Sequence, residues 1–203
     1  MFKLQCPIPK KYYNKNKECE ITQLFGENLN NFYAQLGLPG HNGIDFRTKF
    51  VWKWLTNWFT GRIETRVNER QGIIPILASH SGYLQMPLNN DRTRGIYQKI
   101  LSDEVEIDGK PCKVETVYFH LDSVRRYVGD GIDKNNYVRA GSIIGYSDNT
   151  GIYTTGSHLH FGMRILWKDN KGNYNPINDD YKGYIDPVKY FTFKYKRIWQ
   201  KQH

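Results

Sequence analysis

Cysteine is scarce in this chain: Cys6, Cys19 and Cys112 are the only three in 203 residues. That count excludes a disulfide framework, and the spacing is not that of a zinc knuckle. A Cys6–Cys19 bridge and three free thiols both stay open. Long apolar runs are missing too. No window approaches the roughly 20 apolar residues that a transmembrane helix needs, so no transmembrane segment is expected. The opening stretch Met1 to Lys10 has no apolar core, and a signal peptide is not expected there. The sequence contains no internal repeat and no low-complexity run. It has no His-Glu-x-x-His run, which excludes the helical zinc-protease arrangement, and no recognised nucleic-acid motif.

What is present points to β structure. Gly numbers 18 and aromatics make up 15% of the chain, with Thr, Val and Ile in short runs between turn residues. The expected fold is mainly β: one domain of antiparallel sheets forming an open substrate groove, with few short helices. The chain carries 29 basic against 20 acidic residues, a net charge of +9. Such a balance suits a polyanionic partner, whether nucleic acid, an anionic cell wall or an acidic membrane surface.

Taken in order, residues 1–20 read as a polar, loosely attached leader. The stretch 21–28 reads as a strand ending at a glycine turn. Residues 47–70 form an aromatic and basic insert in which Trp54, Leu55 and Trp58 have helical spacing, predicting a short amphipathic helix. Pro75 marks an edge strand or a strand start. The run from Tyr97 to Leu121 reads as a hairpin around Asp108-Gly109. The main domain spans 21–192, and 193–203 is a basic tail.

Histidine supplies the chemistry. In Gly156-Ser157-His158-Leu159-His160-Phe161, strand alternation places His158 and His160 on one face. Two imidazoles side by side need partners, and a metal is one; yet zinc takes three or four ligands, so two histidines alone are not a site. His41 and Asp45, separated by a segment containing Gly43, offer an imidazole and a carboxylate that can converge on the same ion. His120 ends a strand among apolar neighbours.

Several motifs occur in one order: Phe25-Gly26, His41-x-x-x-Asp45, Tyr118-x-His120-Leu121, Gly141-x-x-x-Gly145, Asn149-Thr150-Gly151, His158-Leu159-His160-Phe161 and Asp186-Pro187. That order resembles the lysostaphin/LytM-type zinc endopeptidases, which cleave peptide bonds in bacterial peptidoglycan, over roughly residues 21–191. The resemblance implies one Zn2+ per chain held by His41, Asp45 and His160, with an open position for water or the scissile carbonyl. It implies His120 and His158 as catalytic histidines and a peptidoglycan peptide as substrate. Anionic cell-wall polymers would be further partners, and specific nucleic acid would not. Action at the bacterial cell wall follows, whether extracellular, periplasmic or virion-associated, as in an endolysin. Tyr33, Trp52 and Trp54 are candidate substrate-binding residues. The competing reading is a non-catalytic wall-binding or hydrolase-activating module on the same fold, using Trp52, Trp54 and Trp58. Three departures stand out: the insert, Gly162 where the family often has Glu, and Asp148 in place of a turn glycine.

Overall fold

The strands, in a computed structural model describing residues 2–48, 54–56, 63–65, 73–85, 89–125, 132, 135–154, 156–177 and 179–198, are short except for two. They are Cys19–Gln23 (β1), Ile44–Arg47 (β2), Trp54–Thr56 (β3), Ile63–Thr65 (β4), Pro75–Leu77 (β5), Gly82–Leu84 (β6), Asn89–Asp91 (β7) and Gly95–Leu101 (β8). Then follow Val105–Ile107 (β9), Lys110–Val124 (β10), Tyr137–Val138 (β11), Ile143–Ser147 (β12), His158–Lys168 (β13), Tyr174–Pro176 (β14), Tyr184–Ile185 (β15) and Tyr195–Arg197 (β16). Helical structure among the described residues is limited to 3₁₀ segments at Lys10–Tyr12, Leu29–Leu36 and Val188–Tyr190. No helix among them is long and apolar enough to cross a membrane.

Among the described residues, fourteen strands join one open sheet whose spine runs β11-β6-β8-β10-β13-β2-β1-β16. The protein is mainly β, as its composition predicts. Every pairing in it is antiparallel except β1 with β16, which is parallel. The hairpin between β9 and β10 turns on Asp108 and Gly109, both at positive φ (51° and 74°), as a two-residue type I′ turn requires. Pro75 starts β5, whose one partner strand among the described residues is β12, the edge placement and strand start that a residue without an N–H tolerates.

Alternation along β13 sends Leu159, Phe161 and Met163 into the core, where Phe161 packs against Phe46 and Tyr118 at ring-centroid distances of 6.0 and 5.3 Å. Each such fully buried side chain stabilises the fold by about 1.5–3 kcal/mol. The opposite face carries His158 and His160.

Two expectations are corrected. The leader is not loose: Leu4 and Ile8 are fully buried, and Leu4 exchanges hydrogen bonds with Tyr190 O (2.8 Å) and Thr192 N–H (3.0 Å). Its lysines hide a few apolar anchors that non-local pairing recruits. The insert is not a helix where it is described, because β3 and β4 pair antiparallel. Aromatic-rich segments favour strands once a partner is available, which overrides the 3.6-residue spacing. In the basic tail, β16 adds to β1 and Arg197 binds Glu27 at 2.8 and 2.9 Å. The three cysteines are free and buried.

One buried histidine lies apart from the others. His80 is 4% exposed, with Nδ1 2.8 Å from Ser81 O and Nε2 3.0 Å from the Thr116 hydroxyl. A carbonyl only accepts, so Nδ1 carries the proton. Burial pushes its pKa from 6.5 down to about 4, against an opposing pull from the Ser81 carbonyl. Between those values the unfolded chain binds more protons than the folded one. The stability His80 contributes is therefore full above pH 6.5 and is lost as pH falls through 4, a change of order 3 kcal/mol. Urea midpoints measured from pH 7 to 4.5 are expected to fall, and to fall less steeply in His80→Gln.

Candidate metal centre

The register of three adjacent strands builds the site. Asp45 on β2 lies directly opposite His160 on β13, and His160 lies opposite Phe119 on β10. Those three side chains form one row across the sheet. Phe119 stacks on the His160 ring at 5.0 Å with an interplanar angle of 5°, fixing its plane. Gly43 lets the other edge close: a Cβ there would come within 2.7 Å of the His160 ring and of Phe161 O. His41 enters from the loop before β2, and its Nδ1 donates to Leu24 O at 3.2 Å.

His41 Nε2, Asp45 Oδ1 and His160 Nδ1 converge. The separations are 2.9 Å (His41–His160), 3.1 Å (His41–Asp45) and 3.2 Å (His160–Asp45). All three residues are buried. Because His41 Nδ1–H is given to Leu24 O, the Nε2 lone pair of a neutral His41 faces a carboxylate oxygen at 3.1 Å. Either a cation or an additional proton must lie between them. Zinc with bonds of about 2.0–2.1 Å in a tetrahedral site places its ligand atoms about 3.3 Å apart, close to what is found. The His-Asp-His donor set fits a divalent metal, and among the described residues it is the group that can hold one.

Burial alone would raise the Asp45 pKa, but His41 and His158 with bonds from His160 and His41 hold it well below the usual carboxylate range. His160 is pushed down to about 4, chiefly by burial and also by the neighbouring imidazoles, with Asp45 opposing. A neutral imidazole and an ionised carboxylate are the forms that bind a metal.

His158 shares the face of His160 but stands outside that group. Its Nδ1 donates to Gly156 O at 2.7 Å, and its Nε2 is 3.7 Å from Asp45 Oδ2. His120 should point away from this row, since its neighbour Phe119 points into it. A bulge reverses that: the β8–β10 register shifts between Tyr118 and Leu121, and His120 has φ 62°. Its ring then lies 4.8 Å from that of His158 and 6.2 Å from that of His160. Burial, followed by the two neighbouring histidines, lowers the His120 pKa to about 4.

Tyr33 is also close. Its ring lies 5.4 Å from His41, and its hydroxyl donates to Gln23 Oε1 at 3.1 Å. Burial and the Asp45 charge raise its pKa. Trp52 and Trp58 lie outside the described residues, and Trp54 is described only as part of the β3 backbone. Sequence reasoning named Gly43 for the convergence of His41 and Asp45 but not for its close approach to His160, and it missed Phe119 and Thr150 as parts of this site. Thr150 stood in a quoted motif, but its contact with His120 exists only because of the bulge.

The sequence profile of Peptidase family M23 matches residues 63–178, more than half of the chain. The chain belongs to peptidase family M23. The matched stretch holds His120, His158 and His160, and the strand register brings His41 and Asp45 of this M23 chain to them from outside it. No curated protein matches the chain by sequence. Among solved structures, the catalytic domain of the antimicrobial peptidase lysostaphin from Staphylococcus simulans is 21% identical, covering 90% of this chain and 96% of that one, with a TM-score of 0.49. LytU is 27% identical over 88% of each chain, with a TM-score of 0.49. A zinc-containing peptidase from Vibrio cholerae is 20% identical, over 81% of this chain and 37% of that one, with a TM-score of 0.48.

The glycine at 162 has a local cause. A Cβ there would meet the Tyr184 ring at 2.8 Å and Val117 at 2.9 Å. Tyr184 in turn packs under the Arg164 guanidinium at 4.1 Å. Gly162 thus makes room for an aromatic ring beside the site and removes no candidate ligand.

Proposed function

We propose that this M23 protein is a zinc-dependent endopeptidase that hydrolyses peptide bonds of bacterial peptidoglycan and acts at the cell wall. The observation that carries the reading is the convergence of His41 Nε2, Asp45 Oδ1 and His160 Nδ1 beside two further histidines that are not in the donor group. A metal bound there would supply a Lewis acid that acidifies water and polarises a carbonyl.

The remaining steps fall to the chain. His120 takes the proton of the attacking water at Nε2, since its Nδ1–H is occupied by Thr150 O at 2.7 Å. A neutral ring suits this role, and burial keeps His120 neutral. His120 then returns that proton from Nε2 to the leaving amine, and His158, likewise tied through Nδ1, holds an Nε2 lone pair beside it that accepts from the amine N–H. Tyr33, with its hydroxyl kept protonated by burial, releases Gln23 Oε1 and turns its O–H to the substrate from the His41 side. The net charge of +9 favours approach to an anionic wall.

The test is digestion of purified peptidoglycan, followed by mass spectrometry of the released fragments and labelling of new amino termini. New termini are expected, lost on chelation and restored by stoichiometric Zn2+. Binding to the wall with no new termini would instead identify a non-catalytic module.

A further inference from the structure

We propose that Thr150 is a positioning residue that fixes the tautomer and aim of His120; the catalytic part of this rests on the function proposed above. Both ends of Thr150 take part. Its carbonyl lies 2.7 Å from His120 Nδ1. An amide carbonyl has no proton to give, so Nδ1 must carry the hydrogen and Nε2 must keep its lone pair. The hydroxyl donates to Leu121 O at 2.6 Å and accepts Ile96 N–H at 3.0 Å.

Leu121 and Ile96 are register partners where β10 meets β8 again after the bulge. Thr150 Oγ1 therefore bridges the two strands next to the residue whose backbone is strained. His120 at φ 62° occupies a region that few non-glycine residues enter, and the surrounding bonds hold it there. Three more bonds complete the frame. His120 N–H donates to Arg94 O at 3.0 Å, Asp148 N–H donates to His120 O at 3.0 Å, and Ile152 N–H donates to Arg92 O at 3.0 Å.

Close packing leaves the two turns no slack. A Cβ on Gly95 would come within 2.4 Å of the Thr150 backbone, and one on Gly151 within 2.7 Å of Gly95 N. The turn at 93–95 and the turn at 149–151 thus interlock through glycines, with Thr150 at the joint. Without the hydroxyl, the carbonyl of the same residue is free to drift from Nδ1, and His120 can exchange into its other tautomer with Nε2 protonated. That form cannot accept a proton from water.

The test uses the zinc-loaded full chain and three forms: parent, Thr150→Val and Thr150→Ser. Long-range 1H–15N spectra of the imidazoles read the tautomer directly. The parent is expected to show His120 protonated at Nδ1 alone. Thr150→Val, which has the same shape but no hydroxyl, is expected to show a mixture. Thr150→Ser is expected to restore the parent pattern. In peptidoglycan digestion, Thr150→Val is expected to keep its zinc and its KM while kcat falls about 10- to 100-fold, the loss typical when the group orienting a metal-ligating histidine is removed, with Thr150→Ser near the parent. An Nε2-protonated His120 in the parent, or a Thr150→Val protein with parental spectra and kcat, overturns the proposal. A parent with the stated tautomer, disturbed in Thr150→Val, but no hydrolysis in any form, would overturn the proposed function and leave the role of Thr150 standing.

Discussion

Replacing His120 by alanine is expected to lower peptidoglycan hydrolysis by about 10²- to 10⁴-fold, the usual loss of a general base, while one zinc per chain is retained. His120 makes no contact with the His41–Asp45–His160 donor atoms other than through ring packing at 6.2 Å. Its loss therefore leaves the candidate ligands in place and removes the proposed proton acceptor. Relief of φ 62° at position 120 does not come with alanine, which also disfavours the left-handed region, so the fold gains little. Metal analysis by plasma mass spectrometry beside a digestion assay checks both halves. Full activity in His120→Ala would remove it from the mechanism.

His160→Ala is the second large effect, and it acts on the metal. His160 supplies Nδ1 at 2.9 Å from His41 Nε2 and 3.2 Å from Asp45 Oδ1. Deleting it leaves two ligands, too few for a zinc site, and leaves Phe119 without its stacking partner. Zinc bound at a thousand times its dissociation constant stabilises the folded state by about 4 kcal/mol, so loss of the ion lowers Tm on the order of 10 °C in a domain of this size. Chelation should lower the parent Tm to a similar degree and leave the Tm of His160→Ala unmoved. Calorimetry of both proteins with and without chelator measures this. A Tm of His160→Ala that still responds to zinc would place the metal elsewhere.

Much of the site is legible in residue order because its spacing is local. His158 and His160 share a face by strand alternation, and His41 and Asp45 are near enough in sequence to act together. The Asp108-Gly109 turn is equally local, since its two positive φ values follow from residue type. What resisted reading is non-local. Leu4 and Ile8 sit in a lysine-rich segment and become core only because residues 190–192 and 77 receive them. The helical spacing of Trp54, Leu55 and Trp58 yields, where the segment is described, to the pairing of β3 with β4. His120 faces the site through a bulge that no period-2 pattern contains, and Thr150 reaches it from 30 residues away. Gly162 carries no meaning until Tyr184 is seen lying against it.

Of the His-x-His pair, His160 is proposed to hold the metal and His158 to face the substrate. Zinc content of purified His158→Ala, measured next to His160→Ala, tests this division most directly. One zinc per chain in His158→Ala, with hydrolysis lost, and none in His160→Ala is the expected result; equal loss of zinc from both proteins would contradict the division.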